Sequence, residues 1–430
     1  MPEPGARSEQ PGASRFALFD AASDPRYRVL WTAGLCVNTA RWMSFVVLGW
    51  LVFDMTGSPE WVAVAAFCRN APMMLVGPIA GIVADRVPRG KLLIVTQCLY
   101  LAAASTLAFS FWVGGAQLPI LIGLEGLLGI AWAFDFPARR TVLYTVVGRQ
   151  RLSNAFSLET MSMQGTKIVG PVIAGTLLGL GGALGCYGLM AVFYACSLGL
   201  MVLLASRTAL PPTGSSESIL ASLASGIRES RLHPTIMGVL VVTAFANLLA
   251  FPYQQLLPVL AREVLHVGPE LLGLLVAADG AGALILALAV GSRRGFNRQR
   301  ELFAGGAICV AVLIIGMATS PWYGLTLAIQ FVVGMAECGF GSMQSVLVLL
   351  CAPDRARGRV LGILSFCIGM QPLGTLGLGA LAGALGPQIA ITVFGALGAI
   401  TIVPASLRYL FRPDTGSATR PMAASASGGH

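Results

Sequence analysis

Charge is what this sequence has least of. Asp, Glu, Lys and Arg make up 11% of its 430 residues, against roughly 25% in an ordinary soluble domain. With 56% hydrophobic residues and a mean hydropathy of +0.77, too few polar side chains remain to coat a water-facing surface. A soluble enzyme of this length is therefore excluded. Disorder is excluded too, because disordered chains are poor in apolar residues. Acidic residues are scarcer than basic ones, 19 against 28 Lys and Arg, leaving a net charge of +9. That surplus is not gathered on one basic face, so no nucleic-acid partner is expected. The 52 glycines follow no three-residue period, which excludes collagen. The nine cysteines are odd in number and contain no CxxC, so neither a disulfide framework nor a zinc site is indicated. They read as small hydrophobes between helices. There is no GxxxxGK[ST], HExxH, catalytic-serine motif or Cys/His cluster, so ATP drive, enzymatic activity, cofactor and metal are all unexpected. The first 25 residues are polar and lack the apolar core of a signal peptide, so no cleavage is expected.

What is present is a series of long apolar runs. A helix needs about 20 such residues to cross a bilayer. Twelve segments qualify, at about 28–53, 60–84, 92–114, 117–138, 154–180, 184–206, 235–258, 270–291, 302–320, 323–350, 358–385 and 388–411. The fold class expected is an all-α polytopic membrane protein with the lipid bilayer as its solvent. Of the 28 Lys and Arg, only Arg262 falls in the alternate set of connections, and Arg41, Arg69 and Lys167 lie inside spans. The others sit in the N-terminal segment, in the loops after even-numbered spans and in the tail. Positive charge stays inside, so both termini are expected in the cytoplasm. The connections on the other side are very short. The division expected is a tail at 1–26, a six-helix half at 27–206, a linker at 207–234, a second half at 235–411 and a tail at 412–430.

The halves resemble each other. Gly81 and Gly291 each open a stretch leading into basic residues after spans two and eight. Pro171–Gly185 in span five and Pro372–Gly386 in span eleven have equal length and similar endings. Repeated six-helix halves suit a transporter with its site between them, although a channel or receptor would also show repetition.

Between spans two and three, Gly81, Asp85, Arg86, Arg89 and Lys91 resemble the signature loop of the major facilitator superfamily, with Pro88 as a departure. Gly170-Pro171 with Ala174-Gly175 resembles the Gly-Pro motif of its exporters. Phe136-Pro137-Ala138-Arg139, Pro353 to Val360 and Gln371-Pro372-Leu373-Gly374 together look like the enterobactin-exporter and macrolide-efflux branch. The resemblance spans about 26–411. It implies two pseudo-symmetric six-helix halves in the inner (plasma) membrane, a secondary active exporter, a small organic substrate such as a drug, macrolide or secondary metabolite, protons as the coupling ion, and a monomer. A siderophore-specific exporter is the alternative, and a non-transporting receptor or scaffold with this fold is a second. Many proton-coupled drug antiporters of the superfamily carry an Arg within span four. Here span four offers Glu125 and no Arg before Arg139.

Ionisable groups within the hydrocarbon are costly and usually face a bundle interior or a wet cavity. The candidates for substrate binding or proton coupling are Arg41, Glu125, Lys167, Asp279 and Glu337, accompanied by Arg69 and Glu159. At ~1.5 Å rise per residue, Arg41, Lys167, Asp279 and Glu337 reach similar depths, and Glu337 and Glu125 rank first for coupling. Structural pairing between helices is the competing reading for each. Lys167 and Asp279 are expected to pair across the halves. Asp85 is expected to meet the start of span eleven, and Arg86 or Arg89 to reach Asp135, as a latch. Tyr253, Phe251, Trp42, Phe45, Phe67 and Phe340 are aromatic candidates for a bulky substrate.

Overall fold

The computed structural model describes residues 21–77, 80, 83, 87–207, 233–292, 297–352 and 357–411. Gly81, Asp85, Arg86, the 208–232 stretch and the 412–430 tail lie outside these, so the expectations for them have no structural counterpart here. The described residues are helical with short connections and no strand. Ten stretches are long and apolar enough to cross a membrane. One of them, Asn154–Ser206, runs 53 residues, far more than a single crossing requires. Gly182, at φ 64°, divides it into two legs. The Cys186 thiol lies 3.5 Å from the Ala174 carbonyl, so the chain folds back on itself. Only glycine takes such a φ without steric cost. With the shorter Pro59–Leu75 helix, the described residues form twelve long helical elements.

These are α1 (Pro25–Thr56), α2 (Pro59–Leu75) and α3 (Arg89–Val113); α4 (Leu118–Gly148); and the two legs α5 (154–181) and α6 (183–206). The second half holds α7 (Pro234–Glu263), α8 (Pro269–Gly291), α9 (Gln299–Thr319), α10 (Tyr323–Cys351), α11 (Arg359–Leu385) and α12 (Pro387–Tyr409). Helix starts carry their expected signals. Asp24 caps α1 by accepting from the Arg26 amide at 2.8 Å, and Ser58 caps α2 ahead of Pro59. The outer surface is apolar, with Leu180 at 82% and Ile400 at 68% exposure, which suits contact with lipid. Trp112 and Trp322, exposed beside short connections, occupy interfacial positions.

Small residues build the seam between the halves. The Gly175 Cα faces the Pro269 carbonyl and Gly273 faces that of Pro171, locking α5 to α8. On the other side Gly379 meets Ala63 and Gly383 meets the Glu60 carboxylate, locking α11 to α2. A Cβ at any of these four would collide with its neighbour. Helix α7 departs from a regular helix, passing through a π segment at Ala246–Ala250 and a 3-10 segment at Phe251–Leu256. Pro252 supplies the cause. It has no N–H for the carbonyl four residues back, that of Leu248. That carbonyl lies against Gly374 of α11, and Gln371 donates to the Phe251 carbonyl at 3.4 Å. Helix α11 has its own break at 369–370, just before Pro372.

Candidate functional site

Among the described residues, three buried polar groupings lie in the bundle. The first sits on the seam. Lys167 of α5 places its ammonium 2.8 Å from Asp279 Oδ1 of α8 and 3.4 Å from Glu337 Oε2 of α10. Gln330 Nε2 donates to Asp279 Oδ2 at 3.3 Å and to the Tyr253 hydroxyl at 3.2 Å. Gln254 of α7 donates to the other oxygen of Glu337. The Trp42 ring of α1 stands 5.3 Å from the ammonium, within cation–π range. The lysine comes from one half and both carboxylates from the other. One cation serves two anions, so the grouping carries a formal surplus of one negative charge.

The second grouping lies wholly within the first half. Glu125 of α4 is fully buried. Both its oxygens accept from Ser44 of α1, at 2.9 and 2.7 Å, and one accepts from Tyr187 of α6 at 3.0 Å. Arg69 of α2 stands 3.8 Å away and donates to the Arg41 carbonyl at 2.6 Å. The Arg41 guanidinium stacks 3.9 Å from the Trp132 ring centroid. Here two cations face one anion, a surplus of one positive charge.

The third is nearer the basic end. Asp135 and Arg139, one helical turn apart on α4, are paired at 3.0 Å, and Asp135 also accepts from Thr96 and Gln97 of α3, at 3.2 and 2.8 Å. Arg139 reaches the Leu30 carbonyl at 3.5 Å. The described partners of Asp135 thus include a cation from its own helix, whereas the sequence pointed to Arg86 or Arg89. Arg89 is buried at the start of α3 and Lys91 is exposed. Gly170 packs on Trp42 and the Thr39 carbonyl, and Pro171 on Gly273.

Of the sequence candidates, the structure therefore brings Lys167, Asp279 and Glu337 together, and gathers Arg41 and Glu125 with Arg69. Glu125 is sealed inside one half and does not reach the seam. Among the aromatics, Phe340 packs on Phe251 and on Phe303 with centroids 5.2 and 5.0 Å apart, a packing role. Tyr253 is a buried hydrogen-bond partner, and Trp42 alone of this set faces a charged group of the seam. Sequence reasoning missed Ser44, Tyr187, Tyr100 and Trp132. A hydroxyl or an indole in an apolar run carries no positional signal, while the four-residue spacing of Asp135 and Arg139 was readable.

A helical bundle of two six-helix halves meeting at glycine-lined seams, with charged groups between them, has the architecture of a major facilitator transporter. A family model described as a transmembrane secretion effector, MFS_3, matches residues 14–422, and the chain belongs to that family. Among similar proteins is the multidrug efflux pump Tap of Mycolicibacterium fortuitum, 26% identical over 82% of this chain and 88% of that protein. Another is the staphyloferrin A transporter of Staphylococcus aureus, 22% identical over 84% and 90%. The fold is also similar to a crystal structure of a POT family transporter bound to 5-aminolevulinic acid, at TM-score 0.73 and 11% identity, covering 90% of this chain and 96% of that one. A bacterial homologue of the lysosomal transporter Spinster, inward-facing, matches at TM-score 0.66 and 13% identity, covering 90% and 98%.

Proposed function

We propose that this chain exports a small organic molecule across a bacterial plasma membrane by exchange for protons, its halves at 27–206 and 235–411 rocking about the seam, with both termini in the cytoplasm. One observation carries the reading: Lys167 bridges Asp279 and Glu337 across the boundary between the halves. Any motion that separates α5 from α8 and α10 must break these contacts. A carboxylate stranded in a low-dielectric interior is then held best by a proton. Loss of the lysine partner and gain of a proton thus exchange for each other, which is what coupling requires. Glu337 is the favoured proton carrier over Glu125, because it faces the seam and Lys167 holds it less closely than Asp279. The signature loop through Asp85 and Arg86 acts as the cytoplasmic latch in this scheme.

A siderophore exporter is the second reading, favoured by the similarity to a staphyloferrin A transporter. Purified protein in proteoliposomes under an imposed pH gradient tests the proposal. Uptake of a substrate panel that collapses with the gradient supports it, and binding without flux on any gradient favours the receptor reading.

A further inference from the structure

Two polar groups on the first half are left without hydrogen-bond partners, and they face the same space. The Tyr100 hydroxyl of α3 is buried, its residue 2% exposed, with no hydrogen-bond partner among the described residues. Its ring is held rigidly by stacking on Tyr194 at 4.9 Å. The Arg41 guanidinium has the Trp132 face beneath it but pairs with no carboxylate and donates no side-chain hydrogen bond among the described residues. Arg41, Tyr100, Trp132 and Arg69 line one pocket. A guanidinium offers five N–H donors, and a buried hydroxyl left unpaired costs about 1–3 kcal/mol. Among the described residues the anion nearby is Glu125, already bound by Ser44, Tyr187 and Arg69. The pocket therefore has donors in excess and one positive charge in excess.

We propose that this pocket binds the carboxylate head of the transported molecule. One oxygen accepts from Tyr100 and the other from Arg41, while an aromatic or apolar body extends along Trp132 toward the seam. The void is ≈ 20 Å³, the room of roughly one water. A carboxylate therefore enters by displacing that water as the side chains lining the void move apart, and the body of the molecule stays outside. The inference rests on the transport reading and names its substrate class: organic anions, in preference to the neutral or cationic compounds of the same shape.

The test uses full-length protein in detergent with radiolabelled 2-naphthoate as the probe, competed by 2-naphthamide and 2-naphthylmethylammonium. We expect saturable binding of the acid at least tenfold tighter than that of the amide or the amine. Arg41→Gln should weaken it tenfold or more, Arg41→Lys should recover part of the loss, and Tyr100→Phe should weaken it three- to tenfold without lowering the melting temperature. Equal affinity for acid and amide, unchanged binding in Arg41→Gln, or no saturable binding at all (the pocket then holding only water) would overturn the assignment. Because binding needs no gradient, saturable Arg41-dependent binding with no flux would leave the pocket standing and remove the transport reading. Proton-driven flux of neutral compounds alone would do the reverse.

Discussion

Replacing Lys167 by Met should be the most damaging single change at the seam. Among the described residues Lys167 is the only cation paired with Asp279 and Glu337, and side-chain exposures of 10%, 3% and 14% leave water little access to compensate. Removing one partner of a buried pair costs about 3–5 kcal/mol. Here the loss strands two carboxylates a few ångströms apart, so the upper part of that range applies. Asp279→Asn differs. Lys167 keeps Glu337 at 3.4 Å, and Gln330 can still bond the new amide, so the cost is that of a weakened hydrogen-bonded pair, about 1–3 kcal/mol. Combining the two changes leaves one carboxylate, Glu337, with Gln254 as its donor. The double variant should then lose less than the sum of the singles, by about 1–3 kcal/mol of coupling. A half of this size shifts its melting temperature by roughly 2–4 °C per kcal/mol. Lys167→Met should therefore lower it by about 8–20 °C and Asp279→Asn by about 2–12 °C. Thermal unfolding in detergent with the full double-mutant cycle reads all three numbers. Strictly additive losses, or a larger loss for Asp279→Asn than for Lys167→Met, would refute the ion-pair argument. The lysine would then be better assigned to substrate.

Glu125→Gln should lower the melting temperature while leaving the proton dependence of flux intact, whereas Glu337→Gln should abolish that dependence with little effect on folding; the reverse pattern, read in proteoliposomes, would return coupling to the first half. Gly175→Val places side-chain atoms against the Pro269 carbonyl and should cost about 1–3 kcal/mol by overpacking, visible as a lower melting temperature and absent in Gly165→Val, where nothing lies nearby. Asp54 and Arg262 pair across α1 and α7 at side-chain exposures of 50% and 42%, so Asp54→Asn should change stability by less than about 1 kcal/mol, a difference erased at high salt. Cysteine labelling should place both termini and the 293–300 loop on the inner face; outside labelling of that loop would overturn the topology.

The all-helical membrane class and its transporter-type bundle were legible because each follows from composition along one dimension: apolar length and basic clusters. The pairing of Lys167 with Asp279 was legible for a related reason. Opposite charges at one depth in a hydrocarbon medium have few other places to go. What escaped reading depends on side-chain direction. Glu125 stands in an apolar run much as Glu337 does, and nothing in the residues flanking either says which one faces the seam. Ser44, three residues after Arg41, satisfies Glu125 only because α1 turns that face toward α4. The irregular α7 was half visible: Pro252 announces a broken ladder, but the Gly374 that receives the freed carbonyl of Leu248 lies more than a hundred residues away.

The two halves repeat a backbone arrangement while exchanging the chemistry placed on it. In the first half Gly129 of α4 lies against the backbone of Arg69 on α2, and Glu125, one turn earlier, faces the Arg69 side chain. In the second half Gly334 of α10 lies against the backbone of Asp279 on α8, and Gln330, one turn earlier, bonds the Asp279 side chain. The helix starts correspond as well: Pro59-Glu60 opens α2 and Pro269-Glu270 opens α8, with the two glutamates packed against Gly383 and Gly179 of the opposite halves. At the equivalent central position one half therefore carries a cation and the other an anion. Had both kept Arg, Lys167 would have faced a like charge across the seam and the closed interface would be repelled. Had both kept Asp, the first half would have no cation behind Arg41. With Asp279 at that position, Lys167 of α5 faces an opposite charge on α8, which favours the contact of the two helices. The inversion also leaves each polar centre one formal charge from neutrality: under the proposed scheme a proton would answer the negative surplus at the seam, and an anionic head the positive surplus at Arg41. Electrical imbalance of opposite sign in the two centres would give the proposed exchange a physical basis, because filling either one changes the field at the other.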